Sequence, residues 1–184
     1  MDNKSGAILE IVESVFESAT NTVLEPTGLT LGKVAGDISE SNPQIEGDSI
    51  LSVLSAAGDG IKIFSSIHVT RETLRAIHPS GASASVEDLR DWCGEINNQL
   101  VGAAKNQLLA YECKVMMGLP TLIQGENLAS IGADEASVSR REYASDRGVV
   151  VTYLSTVIAP GFNMRDQPDE SLTGITQGGE LDFF

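Results

Sequence analysis

Two turn signals constrain this chain more than anything else in it. Gly58-Asp59-Gly60 stands between the β-type runs Ser49 to Ala57 and Ile61 to Val69, and Ser145-Asp146-Arg147-Gly148 stands between Val138 to Ala144 and Val149 to Ala159. Runs rich in Val, Ile and Thr that are joined this tightly pair antiparallel, because a parallel return needs a crossover of a dozen residues or more. In the second run Ile61, Ile63, Ile67 and Val69 share one face. The last run, Val149 to Ala159, lacks clean alternation, so cover is expected on both of its faces, from a helix layer or from another subunit.

Helical periodicity supplies the second layer. Ile8, Ile11, Val12, Val15, Ala19 and Val23 fall on one face of a segment from Gly6 to about Glu25, stopped by Pro26 and Gly28. Thr70 caps a short helix over Arg71 to Ile77, ended by Pro79 and Gly81. Ser85 caps the longest helix, from Val86 to about Glu112, with Glu87 and Asp88 in the first turn where the helix dipole favours negative charge.

The remaining segments are short or irregular. Leu29, Leu31 and Val34 fit a short strand, while most of Gly32 to Gly47 reads as connection. Lys114 to Gln124 reads as a strand holding Pro120, which places it at an edge or a bulge because proline cannot donate to the ladder. Together these elements predict an α+β fold: a largely antiparallel sheet packed against two long helices. Residues 1–164 are expected to form one domain, and 165–184 an acidic flexible tail too polar to order itself. Its last residues, Glu180-Leu-Asp-Phe-Phe184, read either as terminal disorder or as a docking peptide.

Charge narrows the partners. A formal net charge of -14 repels phosphate backbones and anionic membrane surfaces, so neither nucleic acid nor membrane is expected as a partner. The two cysteines, Cys93 and Cys113, lie far apart without metal-ligand spacing and read as buried thiols. The N-terminus carries glutamates where a signal sequence would be apolar, and no run is long enough to span a bilayer, so a cytoplasmic location is expected.

On the long helix Leu89, Trp92, Cys93, Ile96, Leu100, Ala103, Gln107, Ala110 and Tyr111 gather on one side, which predicts the core face. Asp91, Glu95, Asn98, Gly102 and Lys105 lie nearly opposite, so Glu95 and Asn98 are exposed together about one turn apart. A polar stripe of this kind is common and by itself assigns no role. Two interior glycines, Gly94 and Gly102, each cost the helix about 1 kcal/mol relative to alanine, and Gly102 sits on the exposed stripe where it leaves room for another backbone.

The segment Asp91-Trp-Cys-Gly-Glu95-Ile-Asn-Asn98-Gln-Leu-Val-Gly102, followed by Gly118-Leu-Pro120-Thr, resembles the signature of the CheC/CheX/FliY phosphatases, and the Gly-Leu-Pro-Thr phrase looks most like the CheX branch. The family pattern is Asp or Ser, three residues, Glu, two residues, Asn, and a Pro a little over twenty residues on. Here twenty-one residues separate Asn98 from Pro120.

The resemblance implies a phosphatase that hydrolyses the phospho-aspartate of CheY-like response-regulator receiver domains, with chemotaxis as the associated setting. Asn98 would position the attacking water and Glu95 would dock the receiver's active-site lysine, with Asp91 and Gly102 as lesser contacts. It implies no cofactor of the protein's own, Mg2+ being supplied by the receiver, and a homodimer built through the sheet. The alternatives are a catalytically silent binding or adaptor module for a receiver or another signalling protein, or a scaffold subunit using its acidic tail. The first helix offers only Glu17-Ser-Ala-Thr20 where the CheC branch carries a second copy of the motif, so one site per chain is expected.

Other motifs fall short. Gly28 to Val34 is one residue short of a P-loop and lacks the hydroxyl residue after Lys33. His68 and His78 have no partner pattern, and His68 is expected at the surface or satisfied by a neighbour.

Overall fold

The computed structural model describes residues 3–35, 45, 47–128 and 137–172. Helix α1 spans Asn3–Leu24, and Pro26 sits in a following 3-10 turn that Gly28 closes in the left-handed conformation at φ 79°. Strand β1 (Thr30–Ala35) follows directly, so the glycine and lysine of this segment lead into a strand and not into the helix that a phosphate loop requires. Residues 36–44, 129–136 and the acidic tail beyond 172, including the terminal phenylalanines, lie outside the described residues.

Both hairpins form. β2 (Asp48–Gly58) and β3 (Ile61–Thr70) meet across Asp59 and Gly60, whose φ of 81° supplies the turn. β6 (Ser137–Ser145) and β7 (Gly148–Ile158) meet across Asp146 and Arg147. Between the hairpins run α2 (Arg71–Ile77), α3 (Val86–Leu109), β4 (Val115–Met117) and β5 (Thr121–Glu126). The sheet order is β1-β6-β7-β3-β2-β4, β5 also pairs with β2, and every pairing is antiparallel.

The single edge strand read around Pro120 is thus two strands on the same side of β2, with Gly118 to Pro120 as the break. Proline's missing donor falls in that break, where no ladder bond is lost.

α1 and α3 lie side by side on one face of the sheet. Ile61, Ile63, Ile67 and Val69 of β3 meet Val12, Phe16, Leu89, Cys93 and Leu100 in a continuous core. On the opposite face Leu51, His68, Val151 and Tyr153 are also buried, which is why β7 shows no alternation. β7 itself lies between β3 and β6, so both of its backbone edges are paired within the chain.

His68 is fully buried, which corrects the surface position; its Nε2 lies 2.9 Å from the Ser49 hydroxyl, while its Nδ1 is buried without a hydrogen-bond partner, so the ring is satisfied at one nitrogen only. Among the described residues no helix is long and apolar enough to cross a membrane, and no three His, Cys, Asp or Glu side chains converge to hold a metal ion.

Candidate functional site on the long helix

α3 is fixed at both ends. At its start Ser85 and Asp88 form a capping box: the Ser85 hydroxyl accepts from the Asp88 N–H at 3.1 Å, and the Ser85 N–H donates to the Asp88 carboxylate at 2.8 Å. Those Ser85 bonds hold the Asp88 carboxyl below the usual carboxylate range. At its end the helix stops at Leu109, three residues earlier than its periodicity predicts, and Glu112 takes a positive φ of 60°. The chain start of the expected tail closes this terminus. The N–H groups of Arg165 and Asp169 donate to the carbonyls of Tyr111 and Ala110, and Arg165 pairs with Glu112 at 2.8 Å.

Seen from the sheet, the buried arc of α3 contains Leu89, Cys93, Gly94, Ile96, Asn97, Leu100, Val101, Ala104 and Leu108. The predicted core face is therefore rotated by about 70°, some two-thirds of one residue's ~100° step. Trp92, Ala103, Gln107 and Tyr111 are only half-buried, while Asn97, Val101 and Ala104 take the interior. The rotation follows from the edge of the sheet: Leu122 and Pro120 come up against Gly94, where an added Cβ would meet Leu122 at 3.5 Å and Pro120 at 3.9 Å. Residues on that flank are covered by β5, which periodicity does not reveal.

The polar stripe keeps its place. Asp91 and Asn98 are exposed, and Glu95 is half-buried with one carboxylate oxygen accepting from the Gln99 amide at 2.9 Å. That contact orients the Glu95 carboxylate along the helix and leaves its second oxygen available. At Gly102 an added Cβ would find only the Met117 sulfur, 4.0 Å away, so the helix surface there is flat. At the broken sheet edge Met116 of β4 and Leu119 of the break are 81% and 90% exposed, Met116 on the sheet face turned away from α3. Sequence periodicity gave no sign of these two, since an edge strand does not say which residues it presents.

Directly beneath the stripe lies a polar anchor that the sequence reading also missed. Asn97 is entirely buried and bonds Ser52 of β2 and Ser65 of β3. The signal was present as a polar residue on the inner side of an amphipathic helix. Without the rotation of α3 its partners could not be named.

α1 has no comparable geometry. Glu17 is engaged by Arg141 at 3.2 Å, and Thr20 is buried with its hydroxyl donated to the Phe16 carbonyl at 2.6 Å.

A helix pair on an antiparallel sheet, with an outward Glu-x-x-Asn on the second long helix, makes this an α+β protein with a candidate site on the outer side of its helix layer. Residues 50–139 match the family model described as chemotaxis phosphatase CheX, a span that includes Asp91, Glu95, Asn98 and Pro120. Solved structures agree in fold. A CheC-like superfamily protein from Shewanella sp. PV-4 superposes with a TM-score of 0.68 at 20% identity, covering 79% of this chain and 97% of that one. Chemotaxis protein CheX from Vibrio vulnificus gives 0.67 at 17% identity, over 77% and 96% of the two chains. The CheX–CheY–BeF3–Mg2+ complex from Borrelia burgdorferi gives 0.62 at 17% identity, over 78% and 96%. No curated protein matches the chain in sequence. The resemblance carried by the helix motif is therefore shown at two levels: the chain is CheX-like in its central segment and in its fold.

Proposed function

We propose that this protein is a phosphatase that hydrolyses the phospho-aspartate of CheY-like receiver domains. The observation that carries the proposal is the pairing of an exposed Asn98 with an oriented Glu95 on one face of a helix fixed at both ends. The CheX of Borrelia burgdorferi, alike in fold, was solved with CheY, BeF3 and Mg2+, which supports a receiver domain as the partner.

The chemistry asks little of the protein. An acyl phosphate has a good leaving group, and the receiver brings its own Mg2+, so what is missing is a water in line with the phosphorus. The Asn98 amide has a donor and an acceptor on one short stem and does not titrate, so it can hold and aim that water. The water oxygen forms the new bond to phosphorus, the bond to the aspartyl oxygen breaks, and the products are inorganic phosphate and the free aspartate.

Glu95 pairs with the receiver's active-site lysine and sets the docking register, while Asp91 adds rim charge and Gly102 gives clearance. No cofactor of the protein's own enters this scheme. The homodimer belongs to the same proposal; β7 is paired at both edges and largely buried on both faces within the chain, so the contact is assigned to other parts of the sheet.

The test is to mix the protein with phosphorylated CheY-type receivers and follow loss of phosphate. Asn98→Ala should lower kcat by roughly 100-fold, the scale expected when a positioned group in the transition state is removed. Glu95→Ala should act on KM and on binding of a beryllofluoride-loaded receiver. Binding without acceleration for every receiver tried would replace the enzyme by a silent docking module.

A further inference from the structure

We infer that Asn97, the buried neighbour of Asn98, is a positioning residue that fixes the rotation of α3 and thereby the aim of Asn98; the inference rests on the phosphatase reading. Its amide nitrogen donates to the Ser52 carbonyl at 3.2 Å, the Ser52 hydroxyl at 3.1 Å and the Ser65 carbonyl at 3.3 Å. Its amide oxygen accepts from the Ser65 hydroxyl at 2.9 Å. Asn97 and Ser52 are 0% exposed and Ser65 2% exposed.

These bonds do what the rest of the interface cannot. Apart from the weak bond of the Cys93 thiol to the Ser52 backbone, the remaining contact of α3 with the sheet is made by apolar side chains such as Leu89, Ile96, Leu100 and Leu108, and apolar burial has no directional preference. An apolar arc tolerates small rotations about the helix axis. A planar amide bonded to groups on two neighbouring strands does not, and fixing register is the best-attested use of a buried polar residue. β2 and β3 are the central hairpin, with Ser52 and Ser65 both on its helix-facing side, so the amide is held from two directions.

The coupling to Asn98 is geometric. Consecutive helix residues are ~100° apart on a rigid backbone, so Asn98 points wherever Asn97 allows. At a side-chain radius of about 6 Å, a 20° rotation of the helix moves the Asn98 amide by about 2 Å. A displacement of about 1 Å in a positioning group costs on the order of 100-fold in rate. Lysine docking through the charge of Glu95 is more tolerant, because Coulomb attraction falls off slowly with distance.

The experiment compares Asn97→Leu with the triple variant Asn97→Leu, Ser52→Ala, Ser65→Ala. The single variant takes the Asn97 partner away from two buried hydroxyls, those of Ser52 and Ser65, and should be less stable. The triple variant replaces much of the network by apolar groups and should recover most of the lost Tm. With a phosphorylated receiver, both variants should show kcat reduced at least about 10-fold with KM within about 3-fold of wild type. A triple variant that regains Tm and wild-type kcat would overturn the inference, because the network would then serve stability alone.

A second readout is independent of activity. Trp92, the chain's one tryptophan, sits on α3 with its ring 5.6 Å from that of His78 in an edge-on contact, so its emission reports rotation of the helix. The triple variant should shift that emission, and an unshifted spectrum would overturn the anchor. If the wild-type chain accelerates no receiver, the functional reading falls, and the Trp92 spectrum still decides whether Asn97 fixes the helix.

Discussion

Asn97 and Asn98 are adjacent in the chain and have opposite fates: Asn97 is completely buried against Ser52 and Ser65, while Asn98 is exposed on the outer face of the same helix turn. One amide holds the helix and the other is free to hold a water. The dipeptide shows how little the residue type alone says about role.

Gly102 provides a test in which stability and activity move in opposite directions. Nothing within the chain crowds it, so Gly102→Ala should stabilise α3 by up to about 1 kcal/mol, which for a protein of this size raises Tm by about 2–4 °C. If the receiver backbone approaches there, kcat/KM should fall about 10-fold or more in the same variant. A calorimetric Tm and the dephosphorylation assay together check it, and a stabilised variant with full activity would remove Gly102 from the docking surface.

Asp91 is exposed one turn before Glu95, at the rim of the proposed contact. Asp91→Asn should slow association with a beryllofluoride-loaded receiver about 2- to 3-fold at low salt and leave kcat unchanged. The difference should vanish as added salt shortens the Debye length. Stopped-flow association rates at two ionic strengths measure this.

His68 should make the fold sensitive to acid. It is fully buried, its strand neighbours are Leu51 and Val151, and burial lowers its pKa from 6.5 to about 4. A folded-state pKa below the unfolded one means the neutral ring is favoured by folding. Its contribution is complete above pH 6.5 and is lost as pH falls toward 4. Urea unfolding of wild type and His68→Phe between pH 7 and 4 should show a steeper loss in wild type, by up to about 3 kcal/mol. Parallel pH profiles would refute the assignment.

The cysteines should be inert in the folded chain. Cys93 is fully buried and burial pushes its thiol up from 9.0 to about 12; burial also raises that of Cys113. A thiol reagent at pH 8 should therefore modify neither residue until denaturant is added. For Cys93 the raised folded-state value favours the protonated thiol, so its stabilising contribution holds below pH 9 and fades as pH rises toward 12.

Much of the fold was legible because its signals are local. The turns at Asp59-Gly60 and Asp146-Arg147, the caps at Thr70 and Ser85, and the stops at Pro26 and Pro79 each act within a few residues. The outward placement of Asp91, Glu95, Asn98 and Gly102 was legible for the same reason, since helical periodicity is a local property. The inner face of α3 was less so. Gly94 is buried because Leu122 of β5 and Pro120 lie against that flank, and the break at Gly118 to Pro120 turns one expected strand into two.

By itself, then, the sequence determined most of the elements, the antiparallel pairing within the two hairpins and the outward direction of the Glu-x-x-Asn, because turn chemistry, capping and periodicity depend on neighbours in the chain. Tertiary structure decided that β7 lies inside the sheet, that His68 is buried with Ser49, and that Asn97 is tied to strands more than thirty residues before it. Burial and hydrogen-bond partnership across such separations depend on which surfaces meet, and only the assembled sheet and helices settle that.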